Sequence, residues 1–240
     1  MNMITLFSKL VKSILILKYF PRVTLFDLVF VFNNIDLVDE QIYGRYCGSF
    51  EDKLIQSLAC IDVARKFRHT LSTHLEIGVL FGGSCLLKCL ILKREKLEKK
   101  QKFIVIDPFS GYYGQKLDPT SGKPVNRKSF LTNLRRFKIN PQNILIIKSL
   151  SQNFLKISPL LSEQKIISLM IDGDHSYEGV KNDFSLYAPM LIRGAYLIID
   201  DFGDPNWPGV NEFTKKHIIT HPDWKTVLHY DTTLVLEKIR

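Results

Sequence analysis

At 240 residues, with 45% hydrophobic side chains and a mean hydropathy near zero, the chain is long enough to bury one full α/β core behind a modest N-terminal extension. Its 33 Lys and Arg against 24 Asp and Glu leave a net charge of +9, which raises the question of nucleic acid. The four cysteines, Cys47, Cys60, Cys85 and Cys89, lack any Cys-x-x-Cys spacing, which argues against a secreted disulfide framework and for reduced thiols in the cytoplasm.

In chain order, Met3 to Leu17 is largely apolar but interrupted by Lys9 and Lys12. It is too short and too charged for a membrane span, which needs about 20 apolar residues. No small-residue cleavage site follows, so a signal peptide is not expected. Lys9 and Lys12 fall opposite Leu10, Ile14 and Leu17, and this predicts a basic amphipathic helix that docks on the domain, a partner subunit or a membrane surface. Residues 1–49 are expected to form a helical extension and 50–240 the main domain.

Phe50 to Arg68 reads as a helix, with Leu54, Leu58, Ile61 and Ala64 on an apolar stripe and Lys53 and Gln56 off it. Thr73–Ile77 is the first clear strand, turning through Gly78 and Gly82-Gly83 into a helix over Cys85 to Ile91. Cys85 and Cys89 are four apart on it and read as small apolar fillers of one buried face. The run Lys93 to Lys102 mixes acids with bases, as a solvated helix end does.

Phe103–Ile106 is a second strand, stopped by Asp107-Pro108. A loop rich in Gly, Tyr and Pro follows, then a helix around Phe130 and Leu134 and a third strand at Ile144–Ile147. Two further strands close on acids: Leu169–Ile171 on Asp172, and Ala195–Ile199 on Asp200-Asp201. Between them Tyr177, Val180, Phe184, Tyr187 and Leu191 mark a helix, so the unit is a right-handed βαβ crossover. Trp224–Leu228 and Thr233–Glu237 read as an antiparallel pair closing the sheet. The alternation is that of a doubly wound α/β fold.

Both strands of a βαβ unit point the same way, so Asp172, Asp200 and Asp201 are expected together at the carboxyl edge of the sheet, where open α/β folds bind ligands. Aspartate at a strand end also forms turns or caps helices, but a repeat on the adjacent strand, with His175 nearby, favours a hard-cation site. The Gly-x-x-x-Gly-Gly spacing at Gly78 disfavours a dinucleotide. Glycine there lets a ligand approach the backbone at a helix N-terminus, and Asp107 at the next strand end suits a ribose diol.

Glu76-Ile77-Gly78-Val79-Leu80-Phe81-Gly82-Gly83-Ser84 resembles the S-adenosylmethionine loop of class I methyltransferases. Asp172-Gly173-Asp174-His175-Ser176-Tyr177-Glu178-Gly179-Val180, followed by Asp200-Asp201, is similar to the macrocin O-methyltransferase group and, more distantly, to catechol O-methyltransferase. The resemblance covers roughly Phe50 to the C-terminus. It implies a Rossmann-like, mostly parallel seven-stranded sheet with a C-terminal antiparallel strand and helices on both faces.

It also implies roles. Asp107 would hold the cofactor ribose, Ser151 and Gln152 the adenine, and Glu76, Gly78, Gly82 and Ser84 the methionine end. Asp172, Asp200 and Asp201 would coordinate a divalent ion, magnesium by their oxygen-only set. Catechol-type enzymes place a lysine three residues after the first metal aspartate, where this chain has His175. That histidine is either the general base or a helix-start residue. Tyr112, Tyr113, Trp207 and Pro208 lie in two loops at the same edge and suit a sugar or phenol. The expected function is metal-dependent O-methylation of a small or glycosyl acceptor. RNA methylation is the alternative raised by the charge, disfavoured by its dispersal, and a cofactor-binding module without catalysis is a third.

Overall fold

The computed structural model describes residues 12–240. Most of the basic segment expected to form an amphipathic helix, residues 1–11, lies outside them; residues 12–16 are helical and continue into a 3₁₀ turn at Leu17–Tyr19. Helix α1 (Leu25–Gln41) and helix α2 (Phe50–Lys66) both start in capping boxes, Thr24 with Asp27 and Ser49 with Asp52. The alternating core then runs β1 (Ser72–Ile77), α3 (Gly83–Arg94), β2 (Gln101–Asp107), α4 (Arg127–Arg136), β3 (Ile144–Lys148), α5 (Phe154–Leu161), β4 (Ile166–Ile171), α6 (Tyr177–Tyr187) and β5 (Leu191–Ile199). A short α7 (Pro208–Phe213) and the strands β6 (Trp224–Tyr230) and β7 (Thr233–Lys238) complete it.

The seven strands order as β3-β2-β1-β4-β5-β7-β6, parallel through β5, with β7 antiparallel to both β5 and β6. This is the expected Rossmann-like sheet. Its order reverses direction between β1 and β4, the switch point that opens a crevice at the carboxyl edge.

Strand residues alternate between two buried faces. Leu75, Ile77, Ile104, Ile106, Leu197 and Ile199 face α5, α6 and α7 in one core. Met170, Tyr196, Ile198 and Val235 face α1 and α2, while Phe103 and Val105 face α3 and α4. Strands buried on both sides explain why their sequences are continuous apolar runs.

Helix α2 departs from the expected one-sided stripe: every residue from Asp52 to Ala64 is buried, Lys53 and Gln56 included. The sheet covers one side and α1 the other. Lys53 reaches Asp39 of α1 at 2.7 Å, and the buried Asp27 of α1 takes Arg65 and Arg94 at 2.7 and 2.6 Å. Burial alone would raise the Asp27 carboxyl, but Arg65, the Thr24 N–H and hydroxyl of its capping box, and Arg94 together hold it down at about 2.

Candidate functional site

The turn after β1 is set by its neighbours. Gly78 has φ +83°, and a Cβ there would run into the Asp172 carbonyl, whose strand lies alongside. Gly82 and Gly83 are likewise pressed against the rings of Phe130 and Tyr46. These glycines let protein pack closely on protein, and Gly78 and Gly83 also line the cavity at this edge.

Asp107, at the end of β2, accepts hydrogen bonds from the backbone N–H groups of Val79 (2.8 Å), Leu80 (3.3 Å) and Phe109 (2.6 Å). It pins the glycine turn to the next strand. Burial still outweighs these bonds and pushes its carboxyl up. On the other side of the edge, Asp172 and Asp200 follow β4 and β5 directly, their N–H groups donating to Ile77 and Ile171 at 2.9 and 3.2 Å. Asp201 takes a left-handed backbone, φ 57°.

His175 joins the acids. Its Nε2 lies 3.3 Å from Asp172 Oδ1 and 3.0 Å from Asp201 Oδ2. Burial alone would lower its pKa, but the Asp172 and Asp201 carboxylates override this and push it up to about 12. Burial raises Asp172 and Asp200 in turn, as does the negative charge of their neighbours. Nδ1 of His175 meets the Tyr113 hydroxyl. Trp207 stacks on both, 4.5 Å from the imidazole and 5.3 Å from the Tyr113 ring.

Oxygen atoms of Asp172 and Asp201 and a ring nitrogen of His175 come within 4.8 Å of one another, a set able to hold a cation. Asp200, expected from the sequence to share that ion, stands outside the set. Its Oδ1 accepts hydrogen bonds from Gln56 Nε2 at 3.0 Å and Thr233 Oγ1 at 3.4 Å.

One cavity of about 560 Å³ runs along the edge. Of the residues expected at the site, Gly78, Ser84, Asp107, Ser151, Gln152, Asp172, His175, Asp200 and Asp201 line it, as do Tyr112, Tyr113 and Trp207. Gly82 and Glu76 do not. Glu76 is 1% exposed, takes the Ser84 hydroxyl on one oxygen and pairs with buried Lys88 at 2.7 Å on the other. Ser151 is held from behind, its carbonyl accepting from the Tyr187 hydroxyl at 2.6 Å.

Sequence reasoning missed Gln56, Lys88 and the wall segment Arg45–Gly48. The signal for the last was a pair of glycines, Gly44 and Gly48, just before the capped start of α2; both have positive φ. Arg45 there ties to Asp118 of the loop after β2 at 2.8 Å. Gln56 and Lys88 carried no signal, because each looked like a solvent-facing polar residue on its helix.

Comparison with known proteins agrees with this layout. A family model described as a methyltransferase domain matches residues 75–202. An uncharacterized protein, R132 of Acanthamoeba polyphaga mimivirus, is 32% identical over 158 residues, which are 63% of this chain and 63% of that protein. The chain therefore matches less than two thirds of that relative's length. Among solved structures, the O-methyltransferase NovP superposes with a TM-score of 0.63 at 14% identity, covering 88% of this chain and 99% of its own. The calicheamicin methyltransferase CalS11 reaches 0.58 at 14% identity over 86% and 91%, and TomG from Streptomyces achromogenes, solved with its methyl donor SAM, 0.55 at 14% over 89% and 96%. At such identities the likeness is one of fold.

Proposed function

The chain belongs to the methyltransferase domain family, and from that premise we propose that it moves the methyl group of S-adenosylmethionine to a hydroxyl of a small acceptor, such as a glycosyl or phenolic unit, with the help of a divalent cation. The observation that carries this reading is the single cavity. It is lined by Gly78, Ser84, Asp107, Ser151 and Gln152 and also by Asp172, His175 and Asp201, with Gly78 against Asp172 where the two groups meet. Donor and acceptor then meet in one enclosure, as direct transfer requires.

In this reading Asp107 and Ser151-Gln152 hold the adenosine half. Asp107 keeps lone-pair capacity for a ribose hydroxyl beyond its three backbone bonds, since a carboxylate has about four acceptor sites. The Ser84 hydroxyl donates a hydrogen bond to Glu76, which leaves its oxygen lone pairs free for a group in the cavity it lines. Such a group recognises a donor, and the α-ammonium of the methionine end is one. Lys88 stabilises the charge on Glu76 that orients Ser84.

Asp172 and Asp201 fit a divalent cation by the convergence of their carboxylate oxygens beside His175, and oxygen ligation favours magnesium. A bound cation supplies a lower pKa for a coordinated hydroxyl and fixes its direction. Asp200 supports the cluster through Gln56. With the Asp172 and Asp201 charges taken up by a cation, His175 would no longer be held protonated; the neutral ring would keep its proton on Nε2 and take that of the acceptor hydroxyl at Nδ1, in the place of the Tyr113 hydroxyl, as the new O–C bond forms and the S–C bond breaks. Trp207 and Tyr113 present stacked ring faces to a sugar or aromatic acceptor.

The test is methyl transfer from labelled S-adenosylmethionine to a panel of hydroxylated acceptors, with and without chelator after verified metal removal. Chelator-sensitive transfer supports the reading; equal activity in both ends the metal mechanism. Salt-sensitive RNA binding with RNA methylation would replace the small acceptor, and cofactor binding without any transfer would leave a non-catalytic module.

A further inference from the structure

A second surface, remote in sequence from the cavity residues, carries a different kind of recognition. Fifteen large apolar side chains are exposed among the described residues, and six of them fall between residues 14 and 29: Ile14, Leu15, Tyr19, Leu25, Phe26 and Val29. Phe26 is 82% exposed and Leu15 62%. Scattered exposed apolar residues need no explanation, but such a concentration marks a site of contact.

The patch is built by two helical pieces whose other sides are committed. In residues 12–19 the exposed positions 14, 15, 18 and 19 recur at helical spacing, while Ile16 and Phe20 are buried. On α1, Leu25, Phe26 and Val29 share a face, while Leu28, Val31 and Ile35 are buried. Ile16, Phe20, Leu28, Val31 and Ile35 meet in one core cluster, so the two pieces are anchored together and turn their remaining apolar faces outward.

Charge identifies the partner. Lys12 and Lys18 are exposed among these apolar residues, while Arg22, also exposed, pairs with buried Asp62 at 3.1 Å. From Lys12 to Phe26 the sequence holds no acid. The first one, Asp27, is fully buried and neutralised by Arg65 and Arg94. The next, Asp36, lies ten residues past Phe26 along α1, roughly 15 Å away at the rise of an α-helix. A second copy of the chain suits this face poorly, because a twofold contact would bring Lys12 and Lys18 of both copies into one seam with no exposed acid between Lys12 and Phe26 to offset them. Apolar side chains rimmed by lysine match the boundary of a bilayer with anionic headgroups, which accepts the rings and leucines at acyl depth while the cations stay at the surface.

We propose that residues 12–29 form a peripheral membrane-docking surface for anionic lipid. The protein then works at a membrane face, held by Leu15, Tyr19, Phe26 and Val29 and steered by Lys12 and Lys18. Among the described residues no helix is long and apolar enough to cross a membrane, so the contact is interfacial.

The experiment is vesicle flotation of the full chain with phosphatidylcholine vesicles, with and without phosphatidylserine, at low and high salt. The wild-type protein is expected to float with phosphatidylserine vesicles and to be released by salt. Leu15→Asp with Phe26→Asp should lower partitioning about tenfold or more, and each of Lys12→Glu and Lys18→Glu about fivefold. Thermal melting and S-adenosylmethionine titration, unchanged in the Leu15→Asp, Phe26→Asp double variant and in each lysine variant, show that the fold is intact. No flotation of the wild-type chain, or flotation indifferent to phosphatidylserine, overturns the proposal. So does a concentration-dependent dimer that Phe26→Asp abolishes while flotation is absent, which would assign the face to a second copy.

Discussion

The Gln56 amide donates to Asp200 Oδ1 at 3.0 Å, across 144 residues of sequence, and so ties the second acidic strand end to the helix before β1. Asp200 thereby differs from Asp172 and Asp201, whose oxygens face His175. Asp172→Ala and Asp201→Ala should each abolish tight binding of magnesium or manganese in calorimetry. Asp200→Ala should leave weakened but measurable metal binding and lose about 1 to 3 kcal/mol of stability, since it strands the Gln56 donor, while Thr233 keeps its bond to Asp52 at 2.9 Å. Equal metal loss in all three would return Asp200 to the ligand set.

Lys88 and Glu76 form a buried pair, 5% and 1% exposed. Lys88→Met leaves an uncompensated buried carboxylate and should cost about 3 to 5 kcal/mol in urea unfolding. Adding Glu76→Leu should recover most of that stability and still weaken the cofactor, because Ser84 has lost the acceptor that orients it. A double variant with wild-type cofactor affinity would confine the pair to a structural role.

Gly78→Ala places a Cβ against the Asp172 carbonyl at a left-handed backbone position. The substitution should destabilise the fold by about 1 to 3 kcal/mol and cut turnover by about a hundredfold, since Asp172 is displaced by a fraction of an ångström or more. Steady-state kinetics at saturating cofactor reads the second effect separately from cofactor affinity.

His74 is buried under the sheet between Ser168 Oγ at 2.7 Å and Gln101 Oε1 at 3.2 Å. Burial, aided by Lys88 and only partly opposed by the Gln101 bond, lowers its pKa to about 4. The unfolded chain binds the proton more readily, so stability from this site is complete above about pH 6.5. It is lost as pH falls toward 4, by an amount on the order of 3 kcal/mol. Thermal melting of wild type and His74→Asn at pH 7 and pH 5 checks it: the variant should lose less on acidification.

Much of the fold was legible because its strands are continuous apolar runs that end on acids or glycines, and because the βαβ rule alone brings Asp172 beside Asp200-Asp201. The site was legible for the same reason, at the level of which residues share the edge. Side-chain direction was not. Which partners Asp200 takes at the cavity depends on a helix more than 130 residues earlier, and Gln56 read as solvent-facing because its position off the apolar stripe carries no sign of the acid it meets. Asp107 shows a related limit: its strand-end position was plain, but its three backbone bonds depend on where the turn at Val79-Leu80 lies.

The central claim is that one cavity binds the methyl donor between Gly78, Asp107 and Ser151. Calorimetric titration of the folded chain with S-adenosylhomocysteine, the demethylated product, tests it most directly. One site per chain is predicted, weakened about tenfold to a hundredfold in Asp107→Ala as a charged acceptor for the ribose is lost. Absence of binding to the folded wild-type protein would contradict the account.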